Sequence, residues 1–284
     1  MTAQTKAPRP GIGALRDTLI FSKRLWRARR ILTGDPRALW FFSETAGLNA
    51  RASFRYGSLR FVSRKTDWFS AGEVLLDNEY GFIRSILDGE RAPEILDVGA
   101  NIGAFALYVF HLFPGARVAS IEPDPDTYEI LEHNNALNRS VDWRTLRGAL
   151  WSGTEALGLH RTELSTGNRV REVAGDDDLL VQGYAFPELC RRLGMPNPAL
   201  VKMDIEGAEQ FVIPHMEPYF KDIGWLVLEV HDDRFNPDTV FAILRRSFPF
   251  IRKVVPRKSS KPLLVLSRRD VELPGTKRLS SEEQ

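Results

Sequence analysis

Cysteine is nearly absent: Cys190 is the only one in 284 residues, which excludes an intrachain disulfide and any thiolate metal cluster. Long apolar runs are missing too. No stretch approaches the roughly 18 residues of a membrane span, and charges interrupt the first thirty residues too often for the apolar segment of a secretory leader. Nor is there an excess of charge of either sign. Lys and Arg number 39 against 37 Asp and Glu, and a net charge of +2 gives no field toward a polyanion, so no nucleic-acid partner is expected. These absences point to a cytoplasmic chain. Its 43% hydrophobic content is enough for one sizeable α/β core.

Residues 1–52 read as an N-terminal extension. After a loose lead-in through Pro8 and Pro10, Leu15, Leu19, Leu25, Trp26 and Ile31 fall on one face of a helix predicted over 14–32, with Lys23, Arg24, Arg27, Arg29 and Arg30 around them. Such a basic amphipathic helix suits packing on the main domain, or peripheral contact with an anionic membrane or a protein partner. The main domain is predicted over 53–268. Short strands around Gly57 and Gly72 precede a helix over 80–87. Strands are then expected over 94–98, 117–122, 143–150, 200–204 and 225–230, with helices after the first, second, fourth and fifth. A hairpin of 250–255 and 262–267 closes the domain, and the polar tail 269–284 reads as flexible. The fold class is therefore α/β: a doubly wound, Rossmann-like, mostly parallel seven-stranded sheet with a C-terminal antiparallel hairpin.

The segment from Glu94 to Gly103, EILDVGANIG, is a buried strand that runs into a tight turn and then a helix. Gly99 and Gly103 lack a Cβ, so backbone can approach a ligand closely and the helix can pack on the strand. A dinucleotide turn has the order G-x-G-x-x-G, which seats a diphosphate on the helix N-terminus. Here the order is G-x-x-x-G, with Asn101 in the middle and Asp97 in front. A carboxylate there repels a diphosphate and suits a cofactor bearing an amino group and a sulfonium, as S-adenosylmethionine does. Glu122, followed by Pro123, closes the next strand, where a carboxylate accepts both hydroxyls of a ribose.

Three segments resemble the FkbM family of class I S-adenosylmethionine-dependent methyltransferases: Leu96 to Gly103 (LDVGANIG), Ile121-Glu122-Pro123, and Val201 to Glu209 (VKMDIEGAE), the last similar to the family's K-x-D-x-E-G-A-E signature. The likeness runs from about Asp67 to Glu229 and includes Glu79 and Tyr80 in the lead-in to the glycine turn. It implies that Asp97, Gly99, Ala100, Asn101 and Gly103 border the methionine part of the cofactor. Glu122 and Pro123 would lie at the ribose, and Asp204 near the methyl group.

Methyl transfer is an in-line displacement at a carbon that the sulfonium already activates, so the protein supplies alignment, and an alcohol acceptor must also lose a proton. Ligands of open α/β sheets lie beyond the strand carboxyl ends, here Asp204 to Glu209 and Glu229 to His231. His231 is the expected general base, because an imidazole titrates near neutrality. Asp204 adjoins it, and Lys202 either orients the acceptor or lowers its pKa. Glu206 and Glu209 share a face at a helix start, where compensation of the helix dipole explains them equally well. No metal is expected, since no compact H-x-x-H or D-x-D spacing is present. The alternative gathers Asp204, Glu206, Glu209 and His231 around a divalent ion. The segment Asp204-Ile-Glu-Gly207 also lacks an aromatic to stack on an extruded base. The function expected is O-methylation of a hydroxyl on a small molecule, a sugar or a lipid-linked glycan. The alternatives are a nicotinamide-dependent oxidoreductase or an inert binding module of the same fold.

Overall fold

The structure, a computed structural model, describes residues 49–162, 167–172, 178–231, 236–255 and 261–279, with Phe41 and Gly47. The basic helix expected over 14–32 lies outside them. Alternating burial makes a hairpin of β1 (Arg51–Tyr56) and β2 (Leu59–Arg64), with Phe54 and Phe61 turned into the core. Two helices follow, α1 (Trp68–Leu75) and α2 (Ile83–Ile86). Gly72 lies within α1 rather than beside a strand, because the buried set Trp68, Ala71, Gly72, Val74 and Leu75 repeats at helical spacing.

Regular alternation then sets in: β3 (Glu94–Val98), α3 (Ala104–Leu112), β4 (Arg117–Glu122), α4 (Pro125–Ala136) and β5 (Asp142–Arg147). A small sheet interrupts it, built from β6 (Ala149–Leu150), β7 (Ala156–His160), β8 (Arg169–Arg171) and β9 (Leu179–Tyr184) in the order β6-β9-β7-β8. The strand expected over 143–150 is thereby split. Gly148 stands at the corner, where a Cβ would lie 2.6 Å from the Gln182 carbonyl oxygen. The chain continues through α5 (Phe186–Leu193), β10 (Leu200–Met203), α6 (Glu209–Met216), a 3₁₀ turn, β11 (Trp225–Glu229) and α7 (Asp238–Ser247). It ends in β12 (Phe250–Val254), β13 (Leu263–Ser267) and β14 (Thr276–Arg278).

The large sheet has the order β14-β12-β13-β11-β10-β3-β4-β5. Its five strands from β5 to β11 run parallel, and β13 enters antiparallel between β11 and β12. Helices on both faces explain why every residue of β10, even Lys202, is buried. The sheet has eight strands, one more than expected, because the tail is not loose: β14 pairs with β12, and Leu273 and Leu279 are buried. The order reverses between β3, which leads to β4 on one side, and β10 on the other, and this switch point opens the crevice that holds the site.

Helix α4 also grips the N-terminal hairpin. The Asn134 side chain accepts from Val62 N at 2.7 Å and donates to Val62 O at 3.0 Å, and Asn138 does the same with Arg60 at 2.9 and 2.7 Å.

Candidate active site

The turn after β3 is folded hard against its neighbours. Gly99 N and Ala100 N both donate to Ile121 O, and Asp204 N donates to Val98 O. Gly99 has φ +73°, and a Cβ there would lie 1.8 Å from the Asp204 carbonyl oxygen, so only glycine lets the two loops meet. Asn101 takes φ +50°, and its backbone N–H donates to Glu122 Oε2 at 2.9 Å. Asp124 N donates to the other oxygen of Glu122 at 3.0 Å. These bonds fix the Glu122 carboxylate at the crevice. Burial pushes its pKa up to about 7 against the two N–H groups that pull it down.

A cleft of about 1050 Å³, open solvent at its mouth included, runs along this turn. Gly99, Ala100, Asn101, Glu122 and Pro123 line it, together with Lys202, Asp204, Glu206 and Glu229. Gly103 lies behind the wall, packed on Trp143 and Leu131. Asp97 does not reach the cleft surface. It is wholly buried, 3.4 Å from Lys202 Nζ, with Ser120 Oγ donating to its second oxygen at 3.4 Å and Trp143 Nε1 donating to Ser120 Oγ. Lys202 also donates to Gly99 O at 2.8 Å. Burial opposes its charge, but the carboxylates of Asp97, Asp204 and Glu229 outweigh burial and hold the ammonium above its usual range. The Asp97–Lys202 pair therefore braces the glycine turn from beneath.

Beside this cleft the structure gathers four residues, Asp204, Glu206, Glu209 and His231. His231 is buried, with Nδ1 at 2.7 Å from Glu209 Oε1 and Nε2 at 3.3 Å from Glu206 Oε2 and 3.7 Å from Asp204 Oδ1. Glu209 is completely buried, whereas Asp204 and Glu206 are partly open to the cleft. The surroundings of the imidazole pull its pKa away from the ordinary value in both directions. Burial lowers its pKa, but the Glu209 hydrogen bond and the charges of Asp204, Glu209 and Glu206 together push it up to about 9.

Ser70 and Glu73 of α1, and Asn168 and Val170 beside and within β8, also line the cleft. Sequence reasoning did not single them out. Helix α1 carries no ligand motif, and β8 reaches the cleft only through a sheet whose pairing is long-range. Glu79 and Tyr80, noted through the family resemblance, do line it, while Asp67 is held away by a bidentate bond from Arg64. Trp151, Tyr184 and Phe186 are buried in the core.

The family model of the methyltransferase FkbM domain matches residues 97–258. Among curated relatives, the hexuronic acid methyltransferase AglP of Haloferax volcanii is 27% identical over 159 residues, 55% of this chain and 64% of that protein. Methyltransferase sdnD of Sordaria araneosa is 48% identical over 80 residues, 28% of this chain and 29% of that protein. The chain thus spans less than two thirds of the length of either. The METTL16 MTase domain superposes with a TM-score of 0.46 at 11% identity, over 74% of this chain and 84% of that one.

Proposed function

Since this chain belongs to the FkbM methyltransferase family, with S-adenosylmethionine as cofactor, we propose that it methylates a hydroxyl oxygen, and that the hydroxyl belongs to a sugar, either free or in a small molecule or lipid-linked glycan. The observation that supports this reading is that one cleft is lined both by a backbone-held carboxylate, Glu122, and by Asp204 of an acid–imidazole cluster, with His231 directly behind Asp204; we read the cluster as the acceptor end. The name of AglP favours a sugar.

The cofactor, when bound, supplies the activated methyl carbon. Glu122 is placed to accept the ribose hydroxyls, which strengthen an anion that burial otherwise disfavours. The bare backbone of Gly99 and Ala100 admits the methionine portion without a side chain in the way. Lys202 stays charged and sets the turn, and its ammonium orients the acceptor oxygen. With no metal beside it, His231 has a pKa pushed up to about 9 and is a cation at neutral pH, so the proton passes to Asp204, whose anionic form a positive charge on its His231 side stabilises. Glu209 fixes the ring.

The test is a panel of neutral sugars, uronic acids, lipid-linked oligosaccharides and amines, incubated with labelled S-adenosylmethionine and read by mass spectrometry. The expected product carries an ether-linked methyl, and its formation falls at least tenfold in Asp204→Ala. Transfer to an amine with none to any hydroxyl would refute the proposal.

A further inference from the structure

We propose that Asp204, Glu206 and His231 bind a divalent cation of the manganese type at the acceptor end of the cleft. The proposal rests on the reading of that end as the acceptor site. One carboxylate oxygen from each acid and one imidazole nitrogen lie within 4.8 Å of one another. Nε2 of His231 is 3.3 Å from Glu206 Oε2 and 3.7 Å from Asp204 Oδ1. An ion held at about 2.1 Å by nitrogen and oxygen ligands keeps them roughly 3.0–3.4 Å apart, so these two separations are already close to what coordination needs.

The second observation is the setting of the ring. A carboxylate on Nδ1 that fixes the tautomer and turns Nε2 outward is the arrangement metal-binding histidines use, and fully buried Glu209 supplies it at 2.7 Å. Among the described residues this is the only hydrogen bond the ring makes. Nε2, on a side chain 3% exposed, therefore faces the two acids without a hydrogen bond. Asp204 Oδ1, buried from solvent, has none either. Glu209 thus belongs to the site as the group that orients a ligand, not as a fourth ligand.

Two carboxylates and one imidazole suit a hard-to-borderline ion such as Mn²⁺, held just behind the cleft wall that Asp204 and Glu206 form. The ion answers a problem the acceptor poses. Carboxylates outnumber Lys202 in the cleft lining, with Glu73, Glu79, Glu122 and Glu229 among them, so a cation there would offset the excess negative charge that an oxyanion forming on the acceptor would meet. Coordination also acidifies the sugar hydroxyl. Its proton goes to the oxygen of Asp204 that does not bind the ion. The new O–CH₃ bond forms as the CH₃–S bond breaks, and that electron pair stays on sulfur.

The test titrates Mn²⁺ into the chelator-treated full chain and reads free ion by electron paramagnetic resonance. Wild type should bind one ion per chain. Asp204→Asn and His231→Gln should each weaken binding at least tenfold, and Glu209→Gln by roughly 10–100-fold. Glu132→Gln, exposed on α4 and outside the cleft lining, should bind as wild type does. A cooperative thermal melt of each variant, followed by circular dichroism, checks that it is folded. Wild type that takes up no ion at roughly millimolar Mn²⁺, or folded Asp204→Asn and His231→Gln that bind it undiminished, would overturn the proposal. Sugar methylation that persists in chelator overturns the ion and leaves the O-methylation reading standing. Ion binding without hydroxyl methylation of any acceptor does the reverse.

Discussion

Replacing Glu209 by Gln isolates what holds the His231 imidazole in its charged form. The Glu209 contact is a buried, charge-assisted hydrogen bond of 2.7 Å, and bonds of this kind contribute about 1.5–3 kcal/mol. At about 1.4 kcal/mol per pKa unit, its loss should lower the His231 pKa by roughly one to two units. The ring should then titrate at roughly 7–8 rather than about 9, still above the ordinary value because Asp204 and Glu206 remain beside it. The chain has five histidines, so an NMR titration in chelator, with His231→Gln to assign the resonance, reads the shift directly. Linkage gives a second readout. A folded-state pKa above the unfolded value of about 6.5 means that stability from this group is full below pH 6.5 and is lost as pH rises through about 9. The 2.5-unit gap amounts to about 3 kcal/mol in wild type. In Glu209→Gln the loss should be smaller and complete at a lower pH, as denaturant melts across pH 6 to 10 would report. A wild-type His231 titrating at or below 6.5, or one unmoved by the substitution, would refute the reasoning.

Gly99→Ala should destabilise the fold by about 2–4 kcal/mol, from a side chain at φ +73° and a Cβ set against the Asp204 carbonyl, and abolish cofactor binding; a thermal shift like wild type would count against the packing argument. Lys202→Met strands the Asp97 carboxylate in the core at a cost of about 3–5 kcal/mol, and adding Asp97→Asn should recover a large part, which a double-mutant cycle measures. Glu122→Ala should weaken S-adenosylmethionine by roughly 10–100-fold in calorimetry through lost ribose bonds, and unchanged affinity would remove Glu122 from the ribose. Truncation after residue 268 exposes the pockets of Leu273 and Leu279, each side chain contributing about 1.5–3 kcal/mol; a truncated chain as stable as the full one would contradict the role of β14.

The sequence made the parallel half of the fold legible because buried strands such as LVKM and WLVLE are apolar on both faces apart from one charged residue each, and the glycine turn fixes where the ligand crevice opens. It concealed β14, since Thr276-Lys277-Arg278 is an edge strand whose exposed side chains look like a solvated tail. The break at Gly148 was likewise hidden, because the clash that enforces it comes from Gln182 and Tyr184. At the site, residue types and order pointed to Glu122 and Asp204, which line the cleft, and to His231, which lies behind Asp204. They did not reveal that Asp97 turns beneath the cleft to Lys202, or that three acids around one ring raise its pKa. Local pattern carries no information on such mutual burial.

Four side-chain hydrogen bonds to β2, from Asn134 of α4 and Asn138 of the turn that ends it, bear on how the molecule meets its own copies. A helical turn advances about 6 Å between Asn134 and Asn138, close to the ~6.7 Å step between alternate residues of a strand, so two amides replicate the ladder a third strand would offer to Arg60 and Val62. The outer margin of the hairpin is thereby sealed against runaway pairing and strand exchange, by asparagines that cannot themselves extend a sheet.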